Sequence, residues 1–189
     1  LIYFIYCFVP LIVISPAEKI RYISTEHPSV LYYNPKYFAY ANLTSQRYGR
    51  TNPFYYVGFH YENLVPMSNN LTVHFYFLEY LSNVYKRSFV EMHFKFCDLI
   101  HKDNFFGAPM RQGKLLGSCP YPPGKYNLYN MSIDIRVIPP GFPFTKGRIF
   151  ANLTGTHNKD LWGNGYIDME VKEINVRRRG RKGNKTVTP

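Results

Sequence analysis

The chain reads as an all-β protein, a single domain built as a two-sheet β-sandwich with one short helix between its two downstream cysteines. Three observations predict this. Past residue 17, aromatic and β-branched residues dominate the apolar content, and these types fit a pleated, half-buried surface. Several segments alternate apolar and polar residues with a period of two. Pro or Gly interrupts the apolar runs at short intervals, as between strands. Half-polar antiparallel strands must cover their apolar faces, and packing two sheets together does so.

The elements follow in order. Leu1 to Ile14 carry no charge and are almost wholly apolar, but Pro10 interrupts them, and a spanning helix needs about 20 residues. Residues 1–17 therefore read as the apolar part of a signal peptide, with small residues at Ser15 and Ala17, cleavage before Glu18 and a charged segment expected ahead of Leu1. The domain proper is expected over 18–175. Ile20–Ile23 and Tyr37–Ala41 are weak strand candidates. Phe54–Glu62 sets Tyr55, Val57, Phe59 and Tyr61 against Tyr56, Gly58, His60 and Glu62, and Leu71–Phe77 sets Leu71, Val73, Phe75 and Phe77 against Thr72, His74 and Tyr76. Phe89–Phe96 alternates Val90, Met92, Phe94 and Phe96 with Glu91, His93 and Lys95. Asp98–Phe106 predicts the single helix, stopped by Gly107 and Pro109. Met131–Val137, Arg148–Thr154 and Tyr166–Lys172 complete six strands, with a polar hairpin around Asn158-Lys159-Asp160.

Residues 176–189 differ in kind. Beyond Val176, Arg177, Arg178, Arg179, Arg181, Lys182 and Lys185 sit among Gly, Asn and Thr with one apolar residue, Val187, the composition of a disordered tail. The tail holds six of the +11 formal charges and leaves +5 for the rest, so the basicity is local. It reads as a solvated arm, as a contact to anionic headgroups or sulfated glycans, or as a processing site around Arg178–Arg181. A secreted protein with this charge distribution does not read as a nucleic-acid binder.

Loss of the signal segment removes Cys7 and leaves Cys97 and Cys119, an even pair in an oxidising compartment and hence an expected disulfide. Closing a loop of that size stabilises by about 3 kcal/mol in the chain-entropy account. The competing arrangement is a metal site, because His93, Cys97 and His101 recur every four residues as on one helix face. The strand alternation up to Cys97 spreads those groups apart and disfavours it. Secretion also points to N-glycans, and the acceptor triplet occurs at Asn42, Asn70, Asn130, Asn152 and Asn184. Asn130 and Asn152 fall on the polar parity of their strands, where a glycan would meet water.

Catalytic patterns are scarce. The chain has no Gly-x-Ser-x-Gly, no His-Glu-x-x-His and no glycine-rich phosphate loop. Glu91, Asp134, Asp168 and Glu170 lie on polar strand parity, the place of solvated carboxylates, and His60 and His74 read as rim or outer-face residues. No catalytic residue, cofactor or metal is expected, and the protein reads as a non-enzyme.

One stretch carries a family resemblance. Cys119-Pro120-Tyr121-Pro122-Pro123-Gly124-Lys125-Tyr126 leads into Met131-Ser132-Ile133-Asp134-Ile135-Arg136-Val137 and a break at Pro139-Pro140-Gly141. Phe142-Pro143-Phe144, Lys146-Gly147-Arg148-Ile149, the polar hairpin and a strand from Gly163 to Val171 follow. This order resembles the C-terminal half of the ganglioside activator-like proteins of the ML lipid-recognition family, and within it a divergent insect branch, secreted and partly chemosensory. The resemblance covers roughly Phe89 to Lys172. Tyr166 stands where the family's last strand has a half-cystine, so the disulfide framework is reduced. Composition alone favours a filled core; the resemblance implies lipid held between the sheets. It makes Val57, Phe59, Phe75, Phe77, Met92, Phe94, Ile133 and Ile135 the lining candidates. The function it implies is a secreted carrier of a lipid or lipid-like chemosensory compound. An accessory protein that presents a lipid to an enzyme or receptor partner, and a structural β-protein with a full core, remain the alternatives.

Overall fold

The strand alternation seen in the sequence is carried into space. The computed structural model describes residues 18–50, 52–115, 117–138 and 145–176. The expected signal segment 1–17 with Cys7, residues 139–144, and residues 177–189 of the expected tail with Asn184 lie outside them. Among the described residues the order is β1 (Glu18–Tyr33), β2 (Phe38–Arg47), β3 (Tyr55–Asn63), β4 (Leu71–Leu81) and β5 (Val84–Lys95). Helices α1 (Phe96–Lys102) and α2 (Gly107–Gln112) follow, then β6 (Gly124–Met131), a 3₁₀ turn (Ile135–Val137), β7 (Lys146–Gly155) and β8 (Leu161–Val176). A five-stranded sheet runs β1-β8-β7-β4-β5 and a three-stranded sheet runs β2-β3-β6. The protein is an all-β, two-sheet sandwich, as its sequence predicts.

β4 shows why the strands form where they do. Leu71, Val73, Phe75 and Phe77 are buried, while Thr72, His74 and Tyr76 between them are half-buried on the other face. Antiparallel pairing sets Phe75 beside Met92 of β5 and Ala151 of β7, and Phe77 beside Ile149 of β7. Residues of one parity therefore become one apolar layer. In the smaller sheet Val57 and Tyr61 are buried and Phe59 packs on the core. Burial of aromatics adds ring contacts: Phe75 stacks on Phe106 at 3.7 Å, and Tyr37 on Trp162 at 4.1 Å.

The weak candidate Ile20–Ile23 lies in β1, and Phe38–Ala41 of the second opens β2 with Tyr37 in the turn before it; β1 and β2 are much longer than the patterns suggested. In β1 the alternation fails for a local reason. Tyr22, Ile23, Ser24 and Thr25 are buried in succession, and His27, at φ +47°, breaks the pleat ahead of Pro28.

Two expectations are corrected. Met131–Val137 is not a strand. The strand ends at Met131, after Asn130 turns to φ +56°, and Asp134 then caps the 3₁₀ turn by accepting the Arg136 backbone N–H at 2.9 Å. The ladder partner of β3 is the preceding segment, with Phe59 beside Leu128 and Tyr61 beside Tyr126. The predicted single helix Asp98–Phe106 is instead α1, which begins earlier and stops at Lys102, and a second helix, α2, starts at the supposed stop signals. One oxygen of Asp103 accepts the backbone N–H groups of Phe105, Phe106 and Gly107, which satisfies donors ahead of α2. Pro109 lies in the first turn, where its missing N–H costs nothing. A Cβ at Gly107 would sit 2.0 Å from the Leu99 carbonyl oxygen, so this contact between the helices requires glycine. Arg111 closes the motif by donating to the Ile100 and Asp103 carbonyls at the end of α1.

The disulfide expected between Cys97 and Cys119 is present, with Cα atoms 5.9 Å apart. It ties α1 to the proline-rich turn that enters β6. The chain separates into two compact units, Arg21–Lys172 and a second formed by Leu1–Ile20 with Glu173–Pro189. Every feature of the cavity below lies within Arg21–Lys172.

Candidate ligand-binding cavity

The two inner faces do not close on each other everywhere. Between them lies a cavity of about 200 Å³, and the residues around it explain its origin. β4 contributes Val73 and Phe75, β3 contributes Val57 and Phe59, and β7 contributes Ile149, Ala151 and Leu153. Next to these, β8 contributes Gly163 and Gly165, the register partners of Leu153 and Ala151. Two consecutive inward positions of β8 thus carry no side chain, and their neighbour Ala151 carries one carbon. β2 covers the far side with Phe38, Ala41 and Leu43. The glycines answer to the backbone of β1. A Cβ on Gly165 would meet the Ser29 carbonyl oxygen at 2.5 Å, and one on Gly163 the Tyr32 carbonyl oxygen at 3.1 Å. Close approach of the edge strand excludes side chains there and leaves the space in front of them empty.

Protein interiors are normally packed to the density of organic crystals, with few voids larger than a water molecule. An apolar cavity of about 150 Å³ stays dry and takes up benzene, so this one accommodates a small apolar molecule or one end of a chain. The interior is almost without hydrogen-bonding partners. Tyr61, wholly buried, has a hydroxyl with no hydrogen-bond partner, and burial, then the neighbouring Tyr126 and Tyr121, pushes this phenol far above its ordinary range. It stays neutral. On β1 the lining reaches the surface: Tyr32 and Tyr33 border the cavity while 44% and 37% exposed, and Leu31 beside them is 57% exposed.

Of the eight lining candidates, Val57, Phe59, Phe75 and Ile133 border this cavity and the other four do not. Phe77 is buried against Phe105 and Phe106. Met92 and Phe94 are half-buried on the inner face of the edge strand, with the Phe94 ring 6.3 Å from Phe75. Ile135 sits in the 3₁₀ turn and packs on the core from outside the sheets. The sequence reading passed over Ala151, Gly163 and Gly165. The signal was there in Gly163-Asn164-Gly165, because glycine inside a strand marks a close backbone approach.

The polar candidates lie elsewhere. His93 is on the outer face of β5, Cys97 is in the disulfide, and His101 is exposed beside Tyr121. No group of three or more metal-ligating side chains occurs among the described residues. Glu91 faces Arg87, Asp134 faces Arg136, Asp168 faces Arg148 at 2.7 Å, and Glu170 faces Lys172, so each carboxylate is engaged by a cation on the surface. His60 pairs with Asn127 and His74 with His93 and Thr154. Of the glycan acceptors, Asn42, Asn70 and Asn130 are exposed and Asn152 is half-buried on the outer face of β7. The Asn130 carboxamide oxygen accepts a hydrogen bond from the Tyr48 hydroxyl.

Residues 70–148 match a protein-family model described as "Protein of unknown function (DUF1091)". The match runs from the start of β4 through both helices, the disulfide and β6 into β7, somewhat less than half the chain. Among curated proteins none matches. No helix among the described residues is long and apolar enough to cross a membrane.

Proposed function

We propose that the protein is a secreted, glycosylated carrier of the ML, ganglioside activator-like kind, which holds a hydrophobic ligand between its sheets and performs no chemistry on it. The observation that supports this reading is the apolar cavity in front of Ala151, Gly163 and Gly165. The disulfide agrees with passage through an oxidising compartment. The cavity volume narrows the ligand: a small apolar compound is enclosed entirely, whereas a long-chain lipid extends past Tyr32 and Tyr33 into solvent or into a partner. Affinity then rises by about 0.8 kcal/mol for each methylene that leaves water.

The exposed row Leu31, Tyr32 and Tyr33 beside the cavity favours a second reading, an accessory protein that offers the protruding part of its ligand to an enzyme or receptor. The basic tail would add contact to an anionic surface.

Displacement of a fluorescent fatty-acid probe by small apolar compounds and by longer lipids tests the carrier. Ala151→Leu fills the cavity from its floor and should abolish probe uptake with little change in melting temperature, while Ile133→Val should retain uptake. Correctly folded protein that takes up no probe, or Ala151→Leu protein that binds as tightly as wild type, rejects the reading. Loss of partner stimulation in Tyr32→Ser/Tyr33→Ser protein with probe affinity intact selects the accessory role.

A further inference from the structure

The outer face of the five-stranded sheet brings two imidazoles together. His74 of β4 and His93 of β5 are register partners, and their Nδ1 atoms lie 2.9 Å apart. The far side of each ring is also held. His74 Nε2 is 2.8 Å from Thr154 Oγ1, and His93 Nε2 is 3.5 Å from Glu91 Oε1. A carboxylate only accepts, so neutral His93 keeps its proton on Nε2 and turns a bare Nδ1 lone pair toward His74. His74 Nδ1–H fills that gap by donating to it, and the Thr154 hydroxyl then donates to His74 Nε2. A threonine hydroxyl also accepts. Once it rotates, His74 can carry its proton on Nε2, and two Nδ1 atoms without hydrogen then lie 2.9 Å apart.

We infer that this pair is a copper(II) site, with His74 and His93 as neighbouring ligands through Nδ1 and water in the remaining positions. Imidazole nitrogens lie about 2.0–2.1 Å from a bound metal, so two of them are about 2.9 Å apart at a right angle and about 3.4 Å apart in a tetrahedron. The hydrogen-bonded separation of 2.9 Å between the two Nδ1 atoms is compatible with the right-angle spacing without movement of the strands, and copper(II) both favours tetragonal geometry and binds nitrogen ligands most tightly among the divalent first-row metals. Glu91 and Thr154 are outer partners of the type that fix the orientation of ligating histidines. The proton balance closes within the site: the proton on His74 moves from Nδ1 to Nε2, and none is released. The approach is open, since the His93 side chain is 45% exposed. Of the nearby cations, Arg87 is engaged by Glu91 at 2.8 Å and Lys159 by the Thr156 carbonyl. A bound ion would pin β5, the edge strand, to β4.

The test is titration of the secreted, disulfide-bonded full chain, without an affinity tag, with copper(II) chloride at neutral pH. It is read by calorimetry, electron paramagnetic resonance and thermal melting. Expected are one ion per chain with hyperfine coupling to two nitrogens, a raised melting temperature, and weaker uptake of zinc(II). Affinity should fall at least about tenfold in His74→Gln and in His93→Gln, fall less in Glu91→Gln, and stay unchanged in His60→Gln. Folded wild-type protein that takes up no stoichiometric copper, or whose spectrum lacks nitrogen coupling, overturns the inference. So does undiminished affinity in the His74→Gln and His93→Gln proteins, whose folding is checked by near-ultraviolet circular dichroism.

Discussion

The two faces of the five-stranded sheet solve the same problem by different means. On the inner face Val73, Phe75, Phe77, Ile149 and Met169 are withdrawn from water, and the energy comes from area, without regard to direction. On the outer face half-exposed aromatic rings are covered by cations. Arg148 lies 3.6 Å from the Tyr166 ring centre and 4.2 Å from that of Tyr85, Arg87 lies 4.3 Å from Tyr76, and Lys146 lies 4.9 Å from Tyr80. These contacts are directional and individually modest. The inner face can leave a void without leaving a polar group unpaired, because apolar contacts need no specific partner. The outer face cannot: a missing partner there exposes a charge or a ring edge. A cavity therefore arises on the inner side, and polar chemistry such as the imidazole pair on the outer side.

The contrast breaks most visibly at Phe75. Truncation to Ala should cost about 3–5 kcal/mol, because it removes the stack on Phe106 and widens an existing hole, and denaturant unfolding measures this directly. A cost below that of any outer-face truncation would show that the inner face is not the main source of stability. Arg148→Ala should rank second, at about 1–3 kcal/mol. It uncovers Tyr85 and Tyr166 together and leaves Asp168 half-buried without its guanidinium partner. A double-mutant cycle with Tyr166→Leu separates the ring contact from the ion pair, and a coupling energy near zero would remove the cation–aromatic account.

The smallest effect is at Glu26 of β1, which meets Lys172 of β8. Hydrogen bonds from Lys172 and then Ser24 hold its carboxyl below the ordinary value, and the same Glu26 contact raises Lys172. A carboxyl lowered in the folded state binds fewer protons there than in the unfolded chain. Its contribution is thus complete above the unfolded value of about 4.3 and disappears as pH falls through the folded one. Because the pair is about one-third exposed, the contribution should be below about 1 kcal/mol. Melting temperatures of wild-type and Glu26→Gln protein should differ at pH 6 and converge as the pH falls through the lowered value of the Glu26 carboxyl, and a difference independent of pH would exclude the pair as its source.

Much of this architecture is legible in a local pattern. A period of two over Leu71–Phe77 or Tyr55–Tyr61 states which residues share a face, since the pleat alternates side chains whatever the partner strand. The pairing of Cys97 with Cys119 was legible for another reason, there being one even pair to make once the first segment is set aside. The same local logic failed at Met131–Val137, where Ile133, Ile135 and Val137 keep a strand's rhythm but Asn130 and Asp134 turn the backbone away. It failed again at Gly107 and Pro109, which stop one helix only by starting another.

By itself, then, the sequence determined the class of fold, the inward parity of Val57, Phe59 and Phe75, and the covalent tie, each set by neighbours along the chain or by a count of cysteines. Only the tertiary structure decided that the core is hollow, because the void depends on Ala151 and Leu153 lying beside Gly165 and Gly163, and on β1 passing too close to those glycines for any side chain. It alone placed His74 against His93, nineteen residues away. Register between strands is fixed by the summed packing of both faces, and no window of sequence contains that sum.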